Sequence, residues 1–284
     1  MECKNDISEK AKDAATGPRI VLNSYSGNTI EGEAFVADHI FSYILQGKQD
    51  VWLADQKHSY HEGDFRFFRR NQLTKYVKST TDGSFRSIAV HIDQCTLKEM
   101  SEQYGLKADS IINPHTAMLI QSGALLKGFV DSLVPYLQQQ MDERIVALKA
   151  RELVLLLIQH NPAFKNVLFD FNEPGKIDLE AFMNSHYRYN VPMERFAFLT
   201  GRSLSGFKRD FEKQFHTSPG RWLLQKRLDT ARFLIEQQKR NHPMCTWIWG
   251  LRISPIFPLP TKRNLVMRQI KNIHNKKSFK WTYN

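Results

Sequence analysis

Lys208 and Arg209 stand side by side in "GRSLSGFKRDFEKQF", shortly after Ser203. Arg and Lys side chains can donate two hydrogen bonds to guanine O6 and N7 in the DNA major groove, so this pair has the chemistry of base reading. Ser203, with the unsatisfied N–H groups of a helix starting just after it, can hold a phosphate. A different chemistry is offered by "KHSYHEGD", where His58, His61 and Glu62 cluster, with His39 and His91 on neighbouring strand-like stretches. Imidazoles and a carboxylate can ligate zinc or iron.

The two cations need a helix to present them. The sequence predicts a helix over 179–189 and a second that opens at Pro192, where a missing N–H has no partner to lose. That second helix ends at Gly201, where a chiral residue resists the turn, and Ser203 caps a third. Phe207, Phe211 and Phe215 recur every four residues and are expected to face inward, leaving Ser205, Gly206, Lys208, Arg209 and Glu212 facing out. Helix, glycine turn and capped basic helix form the pattern of a helix-turn-helix. Just upstream, "FDFNEPGKIDLE" reads as a linker, in which Pro174 and Gly175 break the preceding element and Asp178 caps the next.

"FAFLTGRSLSGFKRDFEKQFHTSPGRWLLQKRLDTARFLI" resembles the first helix-turn-helix and connecting helix of AraC-type transcriptional regulators, including "SP" followed by an aromatic and the stripe Arg227, Leu228, Ala231 and Leu234. The likeness covers about 60 residues. It implies an α+β chain: an N-terminal cupin-like β barrel, central helices for dimerisation, and an all-α DNA-binding domain of two helix-turn-helix motifs. It also implies DNA contacts from Ser203, Ser205, Gly206, Lys208 and Arg209. Phe196, Ala197, Gly201, Phe207, Phe211, Trp222, Leu228 and Ala231 become the structural core of the motif, with Trp222 as an anchor.

The resemblance stops after the connecting helix. Nothing in residues 241–284 matches a second motif, and prolines between 243 and 260 forbid a continuous helix there. In a frame displaced by one base, each codon takes the last base of one present codon and the first two of the next. With permitted codons, "HPMCTWIWGLRISPIFPLPTKRNLVMR" can then be reread as "SDVYLDLGFEDLSHFSFAYKKKFGYA", which is close to the absent motif. The expectation is a base gained or lost near 237–240, making 239–284 an out-of-frame or disordered tail and the DNA-binding domain incomplete. The competing reading is a basic extension binding phosphate through Arg252, Lys262, Arg263, Lys271, Lys276 and Lys277, with aromatic residues stacking on bases.

The remaining chain must position this domain. Residues 176–284 carry 21 Lys/Arg against 7 Asp/Glu, whereas residues 1–175 carry 19 against 22, so the net charge of +11 belongs to the C-terminal part. That asymmetry points to an anionic partner for the basic part alone. Short runs rich in Phe, Tyr, Ile, Val and Trp over 18–100, broken at Gly47 and Gly63, predict a small β domain that serves as sensor or scaffold. Its Phe41, Tyr43, Trp52, Phe65, Phe67 and Phe68 could line a pocket for a small-molecule effector, but such residues are usually core and no ligand is assigned. Residues 101–170 predict helices, broken near Pro135 or "QQQMD", with Leu126, Phe129, Val130, Leu133, Val134 and Leu137 on one stripe. The stripe suits packing within the subunit or the seam of a homodimer.

The organisation expected is therefore 18–100 as β domain, 101–170 as helical linker and dimerisation region, 176–238 as DNA-binding domain, and 239–284 as tail. Cys3, Cys95 and Cys245 have neither disulfide-framework nor zinc spacing. The longest apolar run, "LVLLLI", is too short for a membrane span, and the expectation is a cytoplasmic protein with double-stranded DNA as partner and no membrane. The leading function is a non-enzymatic, sequence-specific DNA-binding regulator, impaired by the loss of one motif, with no cofactor. Two others stay open: a dimerising remnant that titrates intact partners, and a cupin-type metalloenzyme, although the cupin order of HxH followed by Glu is missing.

Overall fold

The computed structural model describes residues 17–238 apart from 27–28, 54–55, 81–82, 111–119, 138 and 140. The displaced-frame tail, 239–284, lies outside the described residues. Two compact units meet in sequence between Glu173 and Pro174.

The first unit begins with eight strands: β1 (Arg19–Ser26), β2 (Thr29–Val36), β3 (His39–Gln46), β4 (Lys48–Leu53), β5 (Gln56–Tyr60), β6 (Phe65–Phe68), β7 (Gln72–Ser79) and β8 (Ser84–Ile92). They form two four-stranded antiparallel sheets, ordered β1-β8-β3-β6 and β2-β7-β4-β5. The two sheets fit the cupin-like β domain expected from the sequence. The tight reversal from β3 to β4 requires glycine: Gly47 has φ of 91°, and a Cβ there would lie 2.9 Å from the carbonyl oxygen of Ser79 and 3.0 Å from the ring of Phe85.

Among the described residues of this unit, four α-helices follow: α1 (Gln94–Tyr104), α2 (Ala124–Leu133), α3 (Glu143–His160) and α4 (Ala163–Leu168). Strand alternation decides what they cover. The register pairs Phe41 with Phe67, Tyr43 with Phe65, and both β3 residues with Val90 and Ile88 of β8, so these side chains share one face of the first sheet. That face packs with Leu97, Met100, Leu126, Phe129, Val130, Leu133, Leu153, Val154, Leu157 and Phe164 in one core. Each such Phe or Leu, fully buried, contributes about 1.5–3 kcal/mol before entropy is counted. The opposite face of the first sheet looks towards the second, where Phe68 joins Val36 and Val51. The central helices thus pack against the β domain, within the subunit.

Two details differ from the sequence expectation. Val134, placed on the buried stripe, is 47% exposed. Pro135 cannot donate to the helix ladder, and α2 gives way to a 3-10 turn at Val134–Tyr136, which turns Val134 outward while Leu137 stays packed against the core. Trp52, grouped with the buried aromatics, is half-exposed beside Lys57, whereas Phe41, Tyr43, Phe65, Phe67 and Phe68 are buried. Among the described residues, no helix is long and apolar enough to cross a membrane.

Candidate nucleic-acid interface

The second unit contains α5 (Leu179–His186), α6 (Met193–Leu199), α7 (Leu204–Phe215) and α8 (Pro219–Gln238). Asp178 caps α5, its Oδ1 accepting from the Ala181 N–H at 2.9 Å. The helix ends earlier than the predicted 189 because Arg227 of α8 donates to the carbonyls of Tyr187 at 2.7 Å and Tyr189 at 2.8 Å, drawing the following loop onto the connecting helix. Pro192 is the residue before the first turn of α6, with Glu194 near its N-terminus.

The turn between α6 and α7 is held from several sides. Thr200 donates its hydroxyl to the carbonyls of Phe196 and Ala197 at 2.9 and 3.0 Å, closing the end of α6. Gly201 takes a φ of 64°, and a Cβ there would fall 2.3 Å from the carbonyl carbon of Gly175, so the upstream linker runs directly over the turn. Gly201→Ala is therefore expected to lower the stability of this unit by roughly 2–3 kcal/mol, combining left-handed strain with overlap against backbone. A urea melt followed by circular dichroism measures it, and an unchanged midpoint would mean the linker is not packed there. Arg202, with a side chain 10% exposed, bonds Asp210 at 3.1 Å and the carbonyls of Thr200 and Ile177 at 2.7 and 3.0 Å. It locks the turn to α7, and the guanidinium holds the Asp210 carboxyl below the usual carboxylate range.

Ser203 caps α7, its Oγ accepting from the Gly206 N–H at 3.1 Å. Phe207 and Phe211 are fully buried and Phe215 half-buried. Trp222 is also only half-buried. It packs 5.6 Å from the Phe211 ring centroid and 5.0 Å from that of Phe215, so it joins the rim of the core rather than its centre. Phe196, Ala197 and Leu228 are buried; Ala231 lies on α8 where only the backbone is described.

The outward face of α7 is a single stripe. Ser205, Lys208, Arg209 and Glu212 are exposed at helical spacing, and the Arg209 side chain is 82% exposed. Gly206, expected to face out with them, is half-buried at the flank, where its N–H is engaged by the cap. The stripe offers an ammonium, a guanidinium, a hydroxyl and a carboxylate. These are the groups that distinguish guanine, adenine and cytosine edges.

The histidines do not assemble in the same way. His39 pairs with Ile92 and His91 with Ile40 across β3 and β8, which puts the two imidazoles on opposite faces of one sheet. Among the described residues, no group of three or more His, Cys, Asp and Glu could hold a metal ion. His61 instead lies beside Asp64, 3.8 Å from its carboxylate.

Residues 39–167 match the model of the ExsA N-terminal regulatory domain. The chain is 24% identical over 198 residues to the HTH-type transcriptional regulator ExsA of Pseudomonas aeruginosa, covering 68% of this chain and 70% of that protein. It is 20% identical over 264 residues to the uncharacterized HTH-type transcriptional regulator YdiP of Escherichia coli K12, covering 88% of this chain and 84% of the other. The chain is thus similar to HTH-type transcriptional regulators over most of its length. Among solved structures, ToxT from Vibrio cholerae overlaps 83% of this chain and 90% of its own chain at 8% identity with a TM-score of 0.38. A cupin superfamily protein from Desulfitobacterium hafniense overlaps 28% of this chain and 69% of its own chain at 18% identity and a TM-score of 0.24. Sequence reasoning missed Arg202 and Leu223, the latter 5% exposed on α8. Leu223 follows Trp222 on the same apolar stripe as Leu228, so helical period could have found it; Arg202 carries no local signal, since its partners come from the linker and from α7.

Proposed function

We propose that this regulator binds double-stranded DNA sequence-specifically by inserting α7 into the major groove. Lys208 and Arg209 read base edges, while Ser203, Ser205 and Gly206 lie at the end of the helix that meets the backbone. The observation that carries the reading is the exposed stripe of Ser205, Lys208, Arg209 and Glu212 on a capped helix set behind a glycine turn. DNA is the partner and no cofactor takes part. The regulator relatives support a non-enzymatic role.

In this reading the present product is impaired. Residues 239–284 stand where a second helix-turn-helix belongs, and a frame displaced by one base can encode one with permitted codons. The coding DNA tests this: codons 235–284 should yield the "LSHFS" and "KKFG" strings one base out of frame, and codons that yield neither would remove the idea. Base reading is tested in a chain with the frame restored, using duplexes selected from a random pool. Arg209→Ala should weaken binding by about 1–3 kcal/mol and relax preference at one base position. An unchanged preference would take base reading away from Arg209.

A second reading, dimerisation through the N-terminal unit, draws on one specific observation. Leu148 and Leu155 are 66% and 44% exposed one heptad apart on the outer side of α3. Such a pair suits self-association. Leu148→Glu with Leu155→Glu should convert a dimer to a monomer in analytical ultracentrifugation at micromolar concentration; a wild-type chain that is already monomeric there excludes this seam.

A further inference from the structure

Among the described residues, the space between the two sheets holds two cations without an ion-pair partner. Arg66 of β6 is 3% exposed and Lys78 of β7 is 8% exposed. Strand register places Arg66 opposite Ser42, on the face of the first sheet that looks towards the second. Lys78 lies opposite Gln49 across β4 and β7. Gln49, the register partner of Lys78, accepts from Arg66 through its Oε1, and Ser42 accepts from Arg66 at 2.6 Å.

What surrounds them is aromatic rather than acidic. The Lys78 ammonium lies 4.2, 5.0 and 5.2 Å from the ring centroids of Tyr25, Tyr76 and Phe85. The Arg66 guanidinium lies over Phe68 at 5.8 Å and Tyr60 at 6.0 Å. Among the described residues, neither cation forms an ion pair, and the Arg66 Nε is buried without a hydrogen-bond acceptor. Asp64 acts on Arg66 only at longer range, its carboxylate being engaged by the His61 N–H at 2.7 Å. Burial, with the neighbouring Arg66 charge adding to it, pushes the Lys78 ammonium down to about 8. Two like charges withdrawn from water without a counter-charge are costly, since a buried charge ordinarily needs a partner. Cation–π contacts, each worth about 0.5–2 kcal/mol, offset only part of that cost.

We propose that Arg66 and Lys78 form an oxyanion-binding site inside the β domain, taking a small molecule that ends in a carboxylate or a phosphate. The free Arg66 Nε–H and the Lys78 ammonium supply the donors, and the rings of Tyr25, Tyr76 and Phe85 flank the ligand. This site is separate from the helix-turn-helix and stands whether or not α7 binds DNA.

Titration calorimetry and thermal melting of the full chain test it, with inorganic phosphate, benzoate and neutral benzamide as probes against chloride at equal ionic strength. The site predicts that phosphate or benzoate binds with one-to-one stoichiometry and raises the melting temperature, while benzamide does neither; which of the two binds separates a phosphate ligand from a carboxylate one. Lys78→Met keeps the stem among the rings and should weaken binding at least tenfold. Lys48→Met, at an exposed position on the same sheet, should leave it unchanged. Arg66→Met should match Lys78→Met, and if that variant does not fold, Lys78→Met alone decides. The proposal is overturned if neither oxyanion binds above chloride, if benzamide binds as well as benzoate, or if Lys78→Met binds like the wild type.

Discussion

Lowering the pH from 7.5 to 5 should cost the N-terminal unit about 4 kcal/mol of stability, because the buried His39 and the half-buried His91 are held as neutral imidazoles. His39 is 1% exposed and stacks on Phe67, and its Nδ1 accepts the Arg70 backbone N–H at 3.3 Å. Burial first, then Arg70 and Arg69, holds its pKa at about 3. Burial first, then Arg19, holds that of His91 at about 4. Both folded values lie below the unfolded value of about 6.5, so the unfolded chain takes up protons that the folded chain refuses as the pH falls below about 6.5. Stability is therefore present at neutral pH and lost towards acid, by about 2 kcal/mol per histidine at pH 5. Urea melts at the two pH values measure it. His39→Asn, which retains an acceptor for Arg70, should remove about half of the dependence. A wild-type midpoint that does not move between pH 7.5 and 5 would mean that these imidazoles are not buried.

Phe211→Ala should cost about 3–5 kcal/mol, enough to unfold a unit as small as the second one. Phe211 is fully buried and its ring lies within 6 Å of three others, at 5.7 Å from Phe207, 4.2 Å from Phe215 and 5.6 Å from Trp222. Its loss leaves a cavity that Phe207 cannot fill, because Phe207 is itself packed from all sides at 0% exposure. The expected signature is a lost helical signal and flattened tryptophan fluorescence transition from Trp222. Arg209→Ala, on the opposite side of the same helix, should leave the melt within about 0.5 kcal/mol of the wild type, since its side chain is 82% exposed. The pair separates fold from recognition; equal melts for both variants would contradict the packing described for α7.

The helix-turn-helix was readable because its signals are local. A serine before a helix, a glycine at a left-handed turn and phenylalanines four apart each report on neighbours within one or two turns, and Ser203, Gly201, Phe207 and Phe211 occupy those places. The α+β organisation was readable for the same reason, since a change of period from two to between three and four marks the passage from strands to helices. What lay hidden depends on distant partners. Arg66 sits in "FRFF", where alternation around three phenylalanines says nothing about a charge at the inward position, and only the pairing of β3 with β6 reveals that it is buried. His39 and His91 looked like neighbours, and a register offset of one residue put them on opposite faces. Arg202 and Arg227 carry no local sign of their partners, yet their donors satisfy backbone carbonyls that the ends of α5 and α6 leave open.

The proposed frame displacement and the proposed reading role of α7 meet in one quantity, the affinity for a selected duplex of this 284-residue chain beside that of the same chain with its frame restored at codons 237–240. Specific binding exceeds non-specific binding by about 4–10 kcal/mol in typical systems, and on the proposed reading half of the contacts are absent from the present product. A mobility-shift titration at fixed salt should show the restored chain binding at least about 100-fold more tightly. Equal affinity for the two chains, or tight operator binding by the chain as it stands, would contradict the account.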